Sequence, residues 1–137
     1  MSTYTATVTW RSDSPETFTK TRYTRGHTWE FDGGVSVPAS SSPHVVPRLS
    51  VEEAVDPEEA LVASASSCHM LTFLWLAATD GFNIASYTDE AVGEMTKNDE
   101  GKQWMSLITL RPQIEWIGVG SGGTSRVVLL MSPDFGS

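Results

Sequence analysis

The sequence predicts an α+β fold, with a run of short strands, one long apolar helix, and a second run of strands. Three observations carry this expectation. Strand-like runs rich in β-branched and aromatic residues fill the chain before Asp32 and again after Asn83, the first opening in strict alternation. The stretch from Ala60 to Ala78 is apolar nearly all round, and no βαβ alternation appears. With 137 residues, 39% of them hydrophobic and 19% charged, the chain suits one globular domain rather than a disordered segment.

Tyr4, Ala6, Val8 and Trp10 alternate with Thr5, Thr7 and Thr9, which predicts a half-buried strand. The cluster from Ser12 to Glu16 predicts a turn. Phe18 to Tyr23 and His27 to Phe31 then read as two further strands separated by Arg25-Gly26, completing an N-terminal β-meander. Asp32-Gly33-Gly34 turns the chain again. Val35 to Pro47 holds three prolines, which limit ladder pairing, so this segment is expected as an ordered loop or edge strand, placed to wall a site.

Asp56 offers a side-chain acceptor at a helix N-cap, Pro57 suits the first helical position, and Glu58 and Glu59 complement the positive helix end. The helix that follows carries small residues from Ala63 to Ser67 and large ones from Leu71 to Leu76. It is expected as a central buried helix, closed by Asp80-Gly81. Ile84 to Met95 and Trp104 to Trp116 read as strands joined by a hairpin turn over Lys97 to Lys102, giving a second β-meander. Beyond Gly118 the composition turns to Gly and Ser, and only Val127 to Met131 reads as a strand. Residues 1–118 are therefore taken as the folded domain and 119–137 as a tail.

Composition also excludes. A net charge of −8 with nine Lys plus Arg, and no basic cluster, repels a phosphate backbone, so nucleic acid is not an expected partner. The stretch Met1 to Thr5 has neither a basic nor an apolar signal region, which leaves a cytoplasmic location as the expectation. Ala60 to Ala78 approaches membrane-spanning length, yet Ser64, Ser66, Ser67, His69 and Thr72 favour a core helix, and no membrane partner is expected. With a single cysteine the sequence offers no internal disulfide. His27 and His44 lack ligand spacing, so neither a metal nor another cofactor is expected.

That one cysteine, Cys68, lies in the helix. His69 is its neighbour, but successive helical residues point about 100° apart, which argues against a Cys–His dyad. Read alone, Cys68 is better explained as a small core residue than as a nucleophile. Its spacing to other groups changes that reading. Val46-Pro47-Arg48, Val55-Asp56-Pro57-Glu58-Glu59-Ala60-Leu61 and Ser66-Ser67-Cys68-His69-Met70-Leu71 together resemble the pattern of the OsmC/Ohr family of osmotically inducible and organic hydroperoxide resistance proteins. Glu58 lies ten residues before Cys68, and Arg48 twenty before it.

The resemblance implies an OsmC-like fold, an intertwined homodimer, and reduction of a small organic hydroperoxide in oxidative stress defence, at the expense of an external thiol or dithiol. It assigns Cys68 as the peroxidatic nucleophile, Arg48 as the active-site guanidinium and Glu58 as its carboxylate partner. The chemistry is consistent. Thiolates, not thiols, attack O–O bonds, and a guanidinium favours a thiolate and can hold a departing oxygen. Glu58 and Cys68 stand about 15 Å apart along one helix, so Arg48 or a second chain would have to bridge them. The family's second, resolving cysteine and its closing strand are not recognisable in Val119 to Ser137. A non-catalytic redox-sensing or binding domain on the same scaffold is therefore the alternative expectation.

Overall fold

The structure, a computed structural model, describes residues 1–118, 123–124 and 127–130. The chain divides into two compact units, Met1–Ala60 and Leu61–Ser137.

In the N-terminal unit, strands β1 (Ala6–Thr9), β2 (His27–Phe31) and β3 (Ser36–Ala39) form an antiparallel sheet in that order, with Trp29 paired to Val8 on one side and Val37 on the other. The β2–β3 connection turns at Asp32-Gly33-Gly34, where Gly34 takes φ 91°, a region open to glycine. Pro38 is accommodated because β3 is an edge strand, as its sequence required.

Two expectations fail here. The segment read as a turn and a strand contains a short helix instead, α1 (Pro15–Thr19). Its cause is local. The Ser14 hydroxyl accepts from the backbone N–H groups of Glu16 and Thr17, and Pro15 is preset at the first helical position, so capping outweighs the strand propensity of Phe18 and Thr19. The helix closes with Arg22 N–H on Thr17 C=O (2.8 Å) and Thr21 N–H on Phe18 C=O (2.9 Å), with Thr21 in left-handed backbone at φ 58°. The second failure is burial, since every residue of β1 is exposed rather than half-buried.

The Ser- and Pro-rich segment after β3 is ordered by its own hydroxyls. Buried Ser40 accepts from Val51 N–H (2.8 Å), while the Ser50 hydroxyl lies 2.6 Å from both the Ser41 hydroxyl and the Val46 carbonyl. Val55 then runs parallel to Ala39, with Ser40 N–H on Val55 C=O and Val55 N–H on Pro38 C=O. That pairing delivers the chain to the helix start, where Asp56 and Glu59 cap reciprocally: each backbone N–H donates to the other's carboxylate at 2.8 Å.

Helix α2 (Pro57–Thr79) runs for 23 residues and ends as expected at Gly81 (φ 85°), with Phe82 N–H on Ala77 C=O and Gly81 N–H on Ala78 C=O. In the C-terminal unit Leu61, Val62 and Ala65 pack against buried Met105, Ile108 and Leu110. Gly93 makes this contact possible. A Cβ there would stand 2.5 Å from Val62 and 2.7 Å from the Met105 sulfur. The expected all-round burial is not met, because among the helix residues only Ala77 is fully buried while Leu71, Trp75 and Leu76 are 61%, 66% and 49% exposed. The strands cover one side of a helix that is apolar on several. Its length and composition would also allow a membrane crossing. Its middle, however, is engaged through Ser66 and His69 with a strand.

The two long strands expected after α2 are each broken, giving β4 (Ile84–Asp89), β5 (Val92–Lys97), β6 (Gln103–Leu110) and β7 (Pro112–Trp116). β4 pairs with β7, and β5 with β6, in separate antiparallel sheets. Arg111 fixes the corner: its N–H donates to Asp89 Oδ1 (2.7 Å), and its Nε and Nη2 donate to the Glu90 carbonyl (2.9 and 2.7 Å). The β5–β6 hairpin turns where expected, with Asn98 Oδ1 accepting from Glu100 and Lys102 N–H and Gly101 at φ 79°. β8 (Gly123–Thr124) adds to β7 and β9 (Val127–Leu130) to β6, so the strand expected at Val127 is present up to Leu130. Met131 and the rest of the expected tail segment lie outside the described residues.

Candidate functional site

Cys68 is a free, exposed thiol on α2. Its orientation follows from its helical neighbours. Ser66, His69 and Phe73 share one helix face and meet β4, where Tyr87 and Asp89, two residues apart, share one strand face. The Ser66 hydroxyl donates to Asp89 Oδ2, His69 Nδ1 is 2.9 Å from the Tyr87 hydroxyl, and the Phe73 ring lies 6.4 Å from His69 and 5.9 Å from Tyr87. Cys68 sits about 100° from His69 and about 200° from Ser66 around the helix axis, off the anchored face. His69 is thus occupied by Tyr87, in keeping with the expectation that it forms no dyad with Cys68. Burial first, and the Asp89 carboxylate second, push the Tyr87 phenol above its ordinary value of 10.0.

Arg48 and Glu58 stand in the N-terminal unit. Arg48 is exposed, on a turn held in place by Arg25 N–H donating to Leu49 C=O (3.0 Å), and its backbone takes φ 74°. A non-glycine residue in left-handed backbone costs about 1–2 kcal/mol, which marks the position as one under constraint. Glu58 is half-buried, and its Oε2 is shielded from water without a hydrogen-bond partner. The expected Arg48–Glu58 ion pair is not formed, the one ion pair among the described residues being Lys102–Glu100 at 3.9 Å. The reason is geometric: Arg48 is carried on an exposed turn while the carboxylate is turned inward.

In the sequence, Arg25 stands only as a spacer between two expected strands. Its guanidinium lies 4.0 Å over the Tyr23 ring, donates through Nη1 to the Tyr23 hydroxyl, and keeps a buried Nε without an acceptor. Trp10, Phe18 and Tyr23 pack against one another in two tilted pairs and one T-shaped pair with ring centroids 5.1–5.6 Å apart, and together with Val8, Arg25 and His27 they line a cavity of about 480 Å³. The one sequence signal was the density of aromatic residues around Arg25.

This arrangement, a free thiol on a long helix that follows one set of antiparallel strands in the chain and precedes others, places the chain among α+β proteins with a helix-borne cysteine. An OsmC-like protein of unknown function from Vibrio cholerae O1 has the same fold, with a TM-score of 0.83 and 53% sequence identity over 88% of this chain and 79% of that one. No protein-family model and no curated protein matches the sequence. The chain belongs to the OsmC-like family.

Proposed function

We propose that the chain is a Cys-dependent reductase of small organic hydroperoxides, acting in cytoplasmic defence against oxidative stress and working as a homodimer. The observation that carries this reading is the exposed thiol of Cys68 on the long helix of an OsmC-like fold. In the proposed reaction the Cys68 thiolate attacks the terminal oxygen of the hydroperoxide. The O–O bond breaks, its electron pair leaves with the alkoxide, which takes a proton and departs as an alcohol, and Cys68 becomes a sulfenic acid. An external thiol condenses with it to a mixed disulfide and water, and a second thiol, or the other arm of a dithiol, releases Cys68 as the reductant's disulfide forms. Arg48 is assigned to hold the departing oxygen. Glu58, whose Oε2 has no partner, is assigned to accept from a guanidinium.

Purified protein should consume cumene hydroperoxide continuously with dithiothreitol, and Cys68→Ser should abolish that turnover; undiminished turnover in the variant would refute the assignment. A second reading is favoured by the single cysteine among 137 residues. In it the domain senses oxidation, Cys68 reacting once without a cycle. One equivalent of thiol lost, with no continuing peroxide loss, selects that reading instead.

A further inference from the structure

We propose that the N-terminal unit binds a small organic carboxylate with an aryl or branched apolar body, in the cavity between Trp10, Phe18, Tyr23 and Arg25. This goes beyond the proposed peroxide chemistry and does not depend on Cys68.

The cavity has the size and character of a small-molecule site. Its volume of about 480 Å³ falls within the range of known ligand pockets. The walls are preorganised, since the three aromatic rings brace one another and the Trp10 indole N–H is committed to the Thr24 carbonyl at 2.9 Å. Trp10 and Phe18 nevertheless remain 37% and 47% exposed, which leaves apolar ring surface for a ligand to cover.

Among the described residues that line the cavity, the charge is that of Arg25 alone. His27 also lines it, but both its ring nitrogens are engaged: Trp29 Nε1–H can only donate, so His27 Nε2 accepts (3.2 Å), and Nδ1 carries the proton and donates to the Arg25 carbonyl (2.8 Å). Arg25 is a permanent cation, half-buried, with a shielded Nε and no carboxylate paired to it among the described residues. A guanidinium partly withdrawn from water without a counter-charge is unfavourable, and a ligand carboxylate supplies one in charge-assisted form. A neutral apolar ligand would leave the cation unpaired. A bare anion would leave the rings uncovered. The two requirements together define the class.

Calorimetric titration with 4-phenylbutyrate, its neutral isostere 4-phenylbutyramide, and acetate tests this directly. The carboxylate should bind saturably and about tenfold or more tighter than the amide, the margin expected for a charge-assisted hydrogen bond. Acetate should show no saturation. In Arg25→Gln the preference for acid over amide should vanish, in Arg25→Lys it should persist in weakened form, and Trp10→Ala should weaken acid and amide alike, with folding of each variant checked by circular dichroism. Equal affinity for acid and amide in the native protein overturns the proposal, as does an absence of saturable carboxylate binding at millimolar concentration. A preference that survives in folded Arg25→Gln overturns it too. Should Arg25→Gln not fold, the acid–amide comparison on the native protein decides alone.

Discussion

Tyr87 joins the helix-borne polar cluster to the strand beneath it, and its ionisation reports that environment. Its folded-state value is raised, so the phenol holds its proton more firmly in the native protein than in the unfolded chain. The associated stabilisation is fully present below pH 10 and is lost as pH rises through the raised native value. Asp89→Asn should lower the Tyr87 titration, followed by phenolate absorbance, without returning it to the ordinary value, because burial is the larger cause. A titration that does not move would remove Asp89 from the account. The same scale separates what could be read in the sequence from what could not. The placing of Cys68 and Glu58 on one helix was legible because helix-start chemistry and a ten-residue interval are written linearly. Arg25 was not, because its significance lies in a ring stacked beneath it and an acceptor that is missing, neither of which has a linear signature.

Elements were legible where capping and periodicity agreed. Asp56 and Glu59 marked the start of α2, Gly81 its end, and Asn98 to Gly101 the hairpin turn, and each forms as its side chains dictate. Phe18 to Tyr23 was misread because a serine cap and a proline three or four residues upstream outweighed aromatic and β-branched propensity. The breaks at Glu90-Ala91 and Arg111 were illegible because they arise from contacts across more than twenty residues. The seat of α2 rests on Gly93. Gly93→Ala should destabilise the protein by about 1–3 kcal/mol, read as a lower midpoint in urea unfolding, since the new methyl meets Val62 and the Met105 sulfur. Val62→Ala combined with Gly93→Ala should recover part of that loss. An unaltered midpoint in the single variant would mean that the helix shifts freely.

For the whole molecule, a chain of net charge −8 leaves Leu71, Trp75 and Leu76 uncovered along one helix. The homodimer proposed above would cover such surface. Sedimentation equilibrium should therefore give about twice the chain mass of 14.9 kDa. A single species at the chain mass across micromolar concentrations would retire the homodimer. The α+β class followed from the sequence because the strand-like runs and the long capped apolar stretch occupy separate parts of the chain. The exposure of α2 did not follow from it, since an apolar residue reads the same whether its own chain or another surface covers it.

The contact at Gly93 also constrains how this sequence can drift. A side chain at position 93 becomes tolerable only after Val62 has shrunk and the Met105 side chain has swung aside, so the order of substitutions matters as much as their identity. Lineages that keep valine at 62 should keep glycine at 93. The two positions, thirty-one residues apart in the chain, are coupled through that one contact.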